Sequence, residues 1–455
     1  MRGSLPISRI THSCFIGGKN HHERGEKPMT GKQLASRSTT HAWTVLMLVT
    51  LGWTFDYMDL AVFIFVFPAI MKAFSTSRIV VASILTATMW ARLFGGSVGG
   101  WLADRYGRRS IVIDAIFWFS IFEGLTALSP NLALLYVIRI LYGMGMGAMY
   151  AAGVPLAMEQ VPASSRGLAS GLINFAGPIG FILVSIMYAT LSHWGWRLLF
   201  LVAPLPGIVI GIASHSWLSE SHLYTARIPI GPASNERTRS VRLATRSNMW
   251  PLVHASLAMI AFVSLFYSIN TWYPTFLETS KHFNASRVAD MDIVLNVGAI
   301  VGTLVFGRLS DRIGRRLTLT LALVVSVLVS PWAFSPSTPI DLLRIGAFLE
   351  GFAAVGGAWS VNSAYMSEHF ATTVRATSLG IAYHIGIALG GGLTPILIAA
   401  LSIHSGYGSA IEIGVLLSAV ILTLLVWIYP ETKSTSLFDR DHVRLSEPSD
   451  LVVEP

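Results

Sequence analysis

Apolar runs of about 20 residues recur almost from end to end of this 455-residue chain, each long enough to cross a ~30 Å hydrocarbon core as a helix. In hydrocarbon every backbone N–H and C=O has to be satisfied inside the structure, which leaves helices or closed barrels as spanning elements. Continuous runs of this length select helices. Charged residues are 12% of the chain, against about 25% in an ordinary soluble domain, and the mean hydropathy is +0.60. The expected class is all-α, a polytopic membrane protein embedded in a lipid bilayer, with aqueous parts at the two ends and in one central segment. The net charge of +8 does not point to nucleic acid, because the basic residues crowd into short loops, where they set topology.

Polar, Gly/Pro and charged punctuation predicts twelve spans, near 43–69, 79–103, 110–129, 131–155, 166–191, 196–217, 250–277, 288–307, 317–334, 340–366, 376–401 and 408–429. They fall into an N-terminal six-helix bundle (43–217) and a C-terminal one (250–430). A polar N-terminal tail (1–42), a central loop (218–249) and a C-terminal tail (431–455) complete the chain. Of the 32 Lys and Arg residues, 24 fall in the tails and loops of one side and five on the other. By the positive-inside rule the basic side, with both termini, is cytoplasmic, and the expected location is the inner (plasma) membrane. Residues 1–42 hold no apolar stretch of signal-peptide type, and the single cysteine, Cys14, excludes an intrachain disulfide.

The halves repeat. "GGWLADRYGRRS" (99–110) returns as "FGRLSDRIGRRL" (306–317), and "EQVPASSRGLASGL" (159–172) returns as "EHFATTVRATSLGI" (368–381). Two matched pairs at offsets of 207 and 209 residues describe a duplicated six-helix unit, an architecture of secondary transporters.

Intramembrane charge is expensive and therefore informative. "GWTFDYMDLAVF" (52–63) puts Asp56 and Asp59 on one face of span 1, three residues apart. Arg92 lies in span 2 and Arg139 in span 4. At about 1.5 Å per residue, Asp56 and Arg92 share a depth of about 20 Å, while Asp59 (about 15 Å) lies near Arg139 (about 12 Å). Burial favours a neutral carboxyl and a nearby arginine favours an ionised one, so a solute carboxylate that competes for the arginine exchanges with a proton on the aspartate. The planar guanidinium fork suits carboxylate recognition. A buried ion pair that only fixes packing would use the same residues. Asp59 is the expected proton-exchanging group, Asp56 the counter-ion of Arg92, and Arg139 with Arg92 the anion-binding pair. Asn270, Trp272, Tyr273 and His384 are further candidates for the substrate site. Glu123, Glu350 and Glu412 are weaker candidates for a relay. Gly143, Gly145 and Gly147 suit close helix approach.

The doubled "GWLADRYGRR" and "GRLSDRIGRR" resemble the signature loops of the major facilitator superfamily. Within it, "ARLFGGSVGGWLADRYGRR", "IRILYGMGMGAMY" and "HWGWRLLFLVAPLPGI" resemble the sialate:H+ symporter family, and the Asp-x-x-Asp of span 1 resembles an element of the aromatic acid:H+ symporter family. Two departures stand out. Tyr57 and Met58 replace a Gly-aromatic pair, and Met149 stands where many relatives carry a glutamate. The resemblance implies two pseudo-symmetric bundles that move a small organic anion with protons by alternating access, and no bound cofactor or metal. It implies that Asp104, Arg105, Arg108, Arg109, Asp311, Arg312, Arg315 and Arg316 form a gating cluster that joins the halves when the transporter is open outward. The expected function is proton-coupled uptake of a carboxylate (sialic acid, a monocarboxylate or an aromatic acid) by a monomer, with drug or metabolite antiport as the alternative. No nucleophile–base arrangement, metal cluster or phosphate-binding loop suggests an enzyme.

Overall fold

The computed structural model describes residues 31–161, 172–220, 249–370 and 375–431, and among them every regular element is a helix. The expected C-terminal tail beyond 431, most of the N-terminal tail, Cys14 and most of the central loop lie outside the described residues. Met1–His41 separates from the helical body, Ala42–Pro455.

Twelve helical passes follow in order. They are α1 (Gly31–Phe65, resumed after a turn by Phe67–Ala73), α2 (Arg78–Tyr106), α3 (Arg108–Thr126), α4 (Leu132–Gln160), α5 (Ala176–Leu191) and α6 (Trp196–Val202, then Pro204–Trp217). The second set is α7 (Met249–Thr279), α8 (Ala285–Ile313), α9 (Arg315–Ala333), α10 (Ile340–Glu350, a π-helical stretch Gly351–Ala358, and Trp359–Ser367), α11 (Arg375–Gly386, a π-helical stretch Ile387–Gly391, then 392–405) and α12 (407–428). Among the described residues nine stretches are long and apolar enough to cross a membrane, one of them α11 and α12 joined. Gly406, at φ 78°, breaks that pair, and α3 with the three-part α10 completes the set. Pro274 lies inside α7, which runs on to Thr279 with the proline buried in the bundle.

Helix starts have local causes. Ser77, Asn131 and Asn284 cap α2, α4 and α8 by accepting from the backbone N–H of Val80, Leu134 and Arg287, which satisfies a donor the helix leaves open. α3 and α9 start differently. Gly107 (φ 101°) and Gly314 (φ 98°), the glycines of the repeated motif, turn the chain between two helices in a region that side chains avoid. Glu220, after α6, then accepts from the N–H of Arg108 and Arg109 at 3.1 Å each. Glu431, after α12, accepts from Arg315 and Arg316 at 3.0 and 3.1 Å. A carboxylate on a helix N-terminus is electrostatically favoured, and each bundle carries one.

Glycine seams bring α2 against α4 and α8 against α10. A Cβ at Gly143 or Gly147 would strike the backbone of Thr88 or Arg92, and one at Gly298 or Gly302 that of Phe348 or Phe352. The close approach expected of Gly143 and Gly147 is therefore to α2, whereas Gly145 lies against Trp118 of α3.

The bundles meet at the end opposite the basic motif loops. Arg78 (α2) donates to the carbonyl and hydroxyl oxygens of Ser402 (α11) at 3.0 and 2.9 Å, and lies over the Tyr407 ring. Thr86 and Trp90 donate to the carbonyls of Gly392 and Ala388. On the other flank, Ser185 of α5 donates to Asp292 of α8 at 2.7 Å, and Tyr188 donates to Glu278 of α7 at 2.9 Å.

Candidate functional site: a central cavity and the charged cluster behind it

Between the bundles, nearer the basic end, lies a cavity of about 200 Å³. Its walls are rich in aromatic rings, with Trp53, Tyr57, Tyr150, Tyr267, Trp359 and Tyr383 prominent, and Asn174 and Asn362 add amides. Tyr150 of α4 and Tyr383 of α11 stack across the bundle interface, centroids 4.2 Å apart and 6° from parallel. Trp53 meets Tyr150 edge-on at 4.8 Å. The π-helical stretches of α10 and α11 contribute Val355 and Ile387 to the wall, and such bulges re-aim side chains at functional sites. No carboxylate or cation lines this cavity among the described residues.

The charges lie one layer deeper. Helix α1 is two-sided: Trp53 and Tyr57, one turn apart, face the cavity, while Asp56 and Asp59 are buried to 1% and 0% exposure. Arg139 donates to Glu123 of α3 at 2.5 Å, both side chains fully buried. Its guanidinium is held between the rings of Phe63 and Tyr142, at 4.6 and 4.1 Å. Tyr142 in turn donates to the Asp56 carbonyl. The carboxylate oxygens of Asp56 and Asp59 have no hydrogen-bond partner, nor do Nε and Nη2 of Arg139. Arg92 directs Nη1 at the Met146 sulfur, 3.5 Å away, and its Nη2 is buried without a partner. Asp56 and the cavity tyrosines Tyr57, Tyr267 and Tyr383 are its electrostatic neighbours.

One pairing expected from depth does not form, since Arg139 binds Glu123 rather than Asp59, while Asp56 neighbours Arg92 electrostatically without a hydrogen bond to it. Depth follows from the rise along each helix, but the direction a side chain faces decides its partner. The other expected substrate residues do not line the cavity. Trp272 donates to the Pro395 carbonyl and stacks on Tyr407. Tyr273 is buried against Phe276 and Phe334, and Asn270 bonds its own helix at Phe266. His384 donates Nδ1–H to the Gly380 carbonyl and lies edge-on to Tyr150, one residue from the cavity wall. Of the relay candidates, Glu350 accepts from Ser326 within the C-terminal bundle. Asp292, buried at the bundle interface, was not singled out, because it follows the polar start of α8 and reads there as a helix-end charge. The cavity tyrosines share no motif that would group them in the sequence, since they are scattered over α1, α4, α7 and α11.

Four of the basic motif residues bond within their own bundles. Arg108 pairs with Glu159, and Arg109 donates to the carbonyls of Leu218 and His215. In the second copy Arg315 pairs with Asp311 and Glu368, and Arg316 donates to the carbonyls of Trp427 and Tyr429. Arg105 lies over Trp101 and Tyr106. Asp104 and Arg312 sit in the last turns of α2 and α8.

Two six-helix bundles around a shared cavity, each with a copy of the motif loop, define a class of membrane transport protein. The family model of the Major Facilitator Superfamily matches residues 49–302 and 280–450, and the chain belongs to that superfamily. Among curated proteins it is 27% identical to a putative metabolite transport protein of Haemophilus influenzae, over 89% of this chain and all of that one. It is 27% identical to the cis,cis-muconate transport protein of Acinetobacter baylyi, over 82% of this chain and 91% of that one, and 26% identical to the sialic acid transporter NanX of Escherichia coli, over 83% and 91%. Among solved structures, the inward-open xylose transporter XylE from E. coli superposes with a TM-score of 0.71 at 18% identity, over 88% of this chain and 99% of that one.

Proposed function

We propose that the protein is a proton-coupled symporter that takes up a small organic anion, with a planar unsaturated or aromatic carboxylate as its solute. The observation that carries this reading is Arg92, a buried guanidinium with an unpartnered nitrogen, set behind a wall of cavity tyrosines. A carboxylate entering between Tyr57, Tyr267 and Tyr383 gains that nitrogen, and the flat rings of Tyr150, Tyr383 and Trp359 suit a flat solute. Curated relatives named for cis,cis-muconate and for sialic acid support an organic acid in general. The aromatic walls favour the planar one.

Proton coupling rests on charge counting. Asp56, Asp59 and Glu123 are three buried carboxyls against two buried guanidiniums, Arg92 and Arg139, so the cluster is neutral when it carries one proton. Asp59 is the group we assign to that proton, and Arg139 with Glu123 the frame that holds it. Solute charge arriving at Arg92 then changes the field at Asp56 and Asp59, which links anion and proton binding. With the basic end in the cytoplasm, the cavity faces inward, and the bonds of Arg108, Arg109, Arg315 and Arg316 within their own bundles support an inward-facing state. A cationic-drug antiporter would want an acid in the cavity wall. The test is uptake into proteoliposomes under an imposed pH gradient, with muconate or benzoate competing against sialic acid. Accumulation driven by inward proton flow, and stronger competition by the planar acids, is the expected result; uptake indifferent to the gradient overturns the coupling.

A further inference from the structure

At the basic end of the C-terminal bundle, His254 of α7 and His369, just after α10, face each other ring to ring. Their centroids are 5.1 Å apart and their planes 14° from parallel, and Nδ1 of His254 is 3.1 Å from Nε2 of His369. Both remaining ring nitrogens point at backbone carbonyls. His254 Nε2 is 2.8 Å from the Leu425 oxygen on α12, and His369 Nδ1 is 2.6 Å from the Tyr365 oxygen. A carbonyl only accepts, so each of those nitrogens carries a hydrogen. In a neutral imidazole the other nitrogen is then a lone pair. Two neutral rings would thus aim lone pairs at each other across 3.1 Å. Turning either ring over replaces both of its nitrogens with C–H and forfeits a carbonyl bond as well.

We infer that His254 and His369 together bind one proton, held between Nδ1 and Nε2, and that this proton ties the basic ends of α7, α10 and α12 together below the cavity. The surroundings suit a shared cation. Tyr429 stacks on both rings, at 3.9 Å from His369 and 4.7 Å from His254, and Tyr365 meets His369 edge-on at 4.6 Å. Aromatic faces stabilise a positive charge. Among the described residues, the charged groups around the pair include Glu368, paired with Arg315 of α9, and Glu431, which holds the start of α9 and, with Arg316, lies in the field of Tyr365. On α7 itself the next ring is Trp250.

The molecule contains its own comparison. The 209-residue repeat places Gln160 where the second half has His369. Gln160 donates to the carbonyl and hydroxyl oxygens of Ser219 and to the carbonyl of Glu220, tying the end of α4 to the segment after α6. The first half makes its tie with an amide, whatever the pH. The second makes it with a proton. The same two helices carry Met259, Asn362 and Met366 of the cavity wall, with Asn362 donating to the Met259 sulfur, so loss of the proton loosens the helices that frame the cavity.

The proton count does not depend on which solute is carried. It can be read from 15N-histidine spectra of the purified full chain, with the two resonance sets identified by their loss in H254Q and H369Q among the 13 histidines. At about pH 7 the wild-type pair should hold three N–H protons over its four ring nitrogens, and H369Q should leave His254 with one. A wild-type pair with only two N–H protons from about pH 5 to 8 overturns the site. Backbone hydrogen exchange at 249–259 and 362–370 reads the tie. In wild type its protection should fall about tenfold as the proton is lost on raising the pH, and in H369Q it should show no such step. The same pH step in both proteins overturns the tie even where the proton is found.

Discussion

Glu123 is the residue whose replacement separates packing from transport most cleanly. Its carboxylate is the one hydrogen-bonded partner of Arg139 in a fully buried site. Removing one member of such a pair leaves an uncompensated charge, at a cost of roughly 3–5 kcal/mol. Glu123→Gln should therefore lower the detergent-extracted monodisperse yield, and adding Arg139→Gln should restore much of it. A double variant as poor as the single one would show that the two side chains do not act as a pair. Asp59→Asn should behave differently, because the Asp59 carboxylate has no hydrogen bond to lose. Normal yield, retained solute exchange and abolished pH-driven accumulation are expected in proteoliposomes, and undiminished uphill uptake by the variant would remove Asp59 from the coupling role. Sequence supplied the charges and their depth, because 1.5 Å of rise per residue is a property of any helix. It could not supply which neighbour each faces. Depth alone sets Arg139 beside Asp59, whereas its partner is Glu123 on a third helix. Tyr57 was visible only as a departure from a family pattern, and its place in the cavity wall comes from its lying on the other side of α1 from Asp56 and Asp59.

At the scale of the element, the repeated D-R-x-G-R-R loop is a helix break with its own cap. Its glycine turns the chain and the carboxylate of Glu220 or Glu431 closes the next helix. Gly314→Ala should cost about 1–3 kcal/mol for the unfavourable backbone conformation, and its new methyl would come to 3.0 Å of the Glu431 carboxylate, disturbing the cap as well. Glu431→Gln alone should cost about 0.3–1 kcal/mol, the usual worth of a charge at a helix N-terminus. Thermal unfolding of the purified protein measures both, and a Gly314→Ala protein no less stable than Glu431→Gln would contradict the conformational argument. The twelve passes and the twofold repeat were legible because membrane length and motif spacing are linear in the sequence. The π-helical stretches in α10 and α11 were not. Local runs such as "GFAAVGGA" and "IALGG" read equally well as ordinary helix, and packing against α8 and α7, where Gly351 and Gly356 meet Leu295 and Ala299 and Gly390 meets Ile260, is not written in the run itself.

For the whole molecule the question is what holds the bundles together at the end opposite the motif loops. Two different clasps close the end opposite the motif loops. Along α2 and α11 the donors are Arg78, Thr86 and Trp90, and the acceptors include three backbone carbonyls. Along α5 the donors are the hydroxyls of Ser185 and Tyr188, and the acceptors are the carboxyls of Asp292 and Glu278. The second clasp can be removed without touching the charged cluster. Ser185→Ala with Tyr188→Phe keeps shape and deletes both donors, and each acceptor left short of its donor costs about 1–3 kcal/mol. In the closed state Asp292 and Glu278 then lose a partner, whereas in a state open at that end water supplies one, so the loss falls on one side of the equilibrium. The double variant should shift it toward that open state on the order of a hundredfold. Spin labels on the exposed Thr190 and Thr279, at the ends of α5 and α7, report the change directly. Wild type should give one short distance, and the double variant should add a longer population, while a variant lacking only Ser97, whose hydroxyl bonds its own helix at Leu93, should not. An unchanged distance distribution in the double variant would mean that the α2–α11 clasp alone holds the end closed, and Arg78→Ala would then be the substitution that opens it.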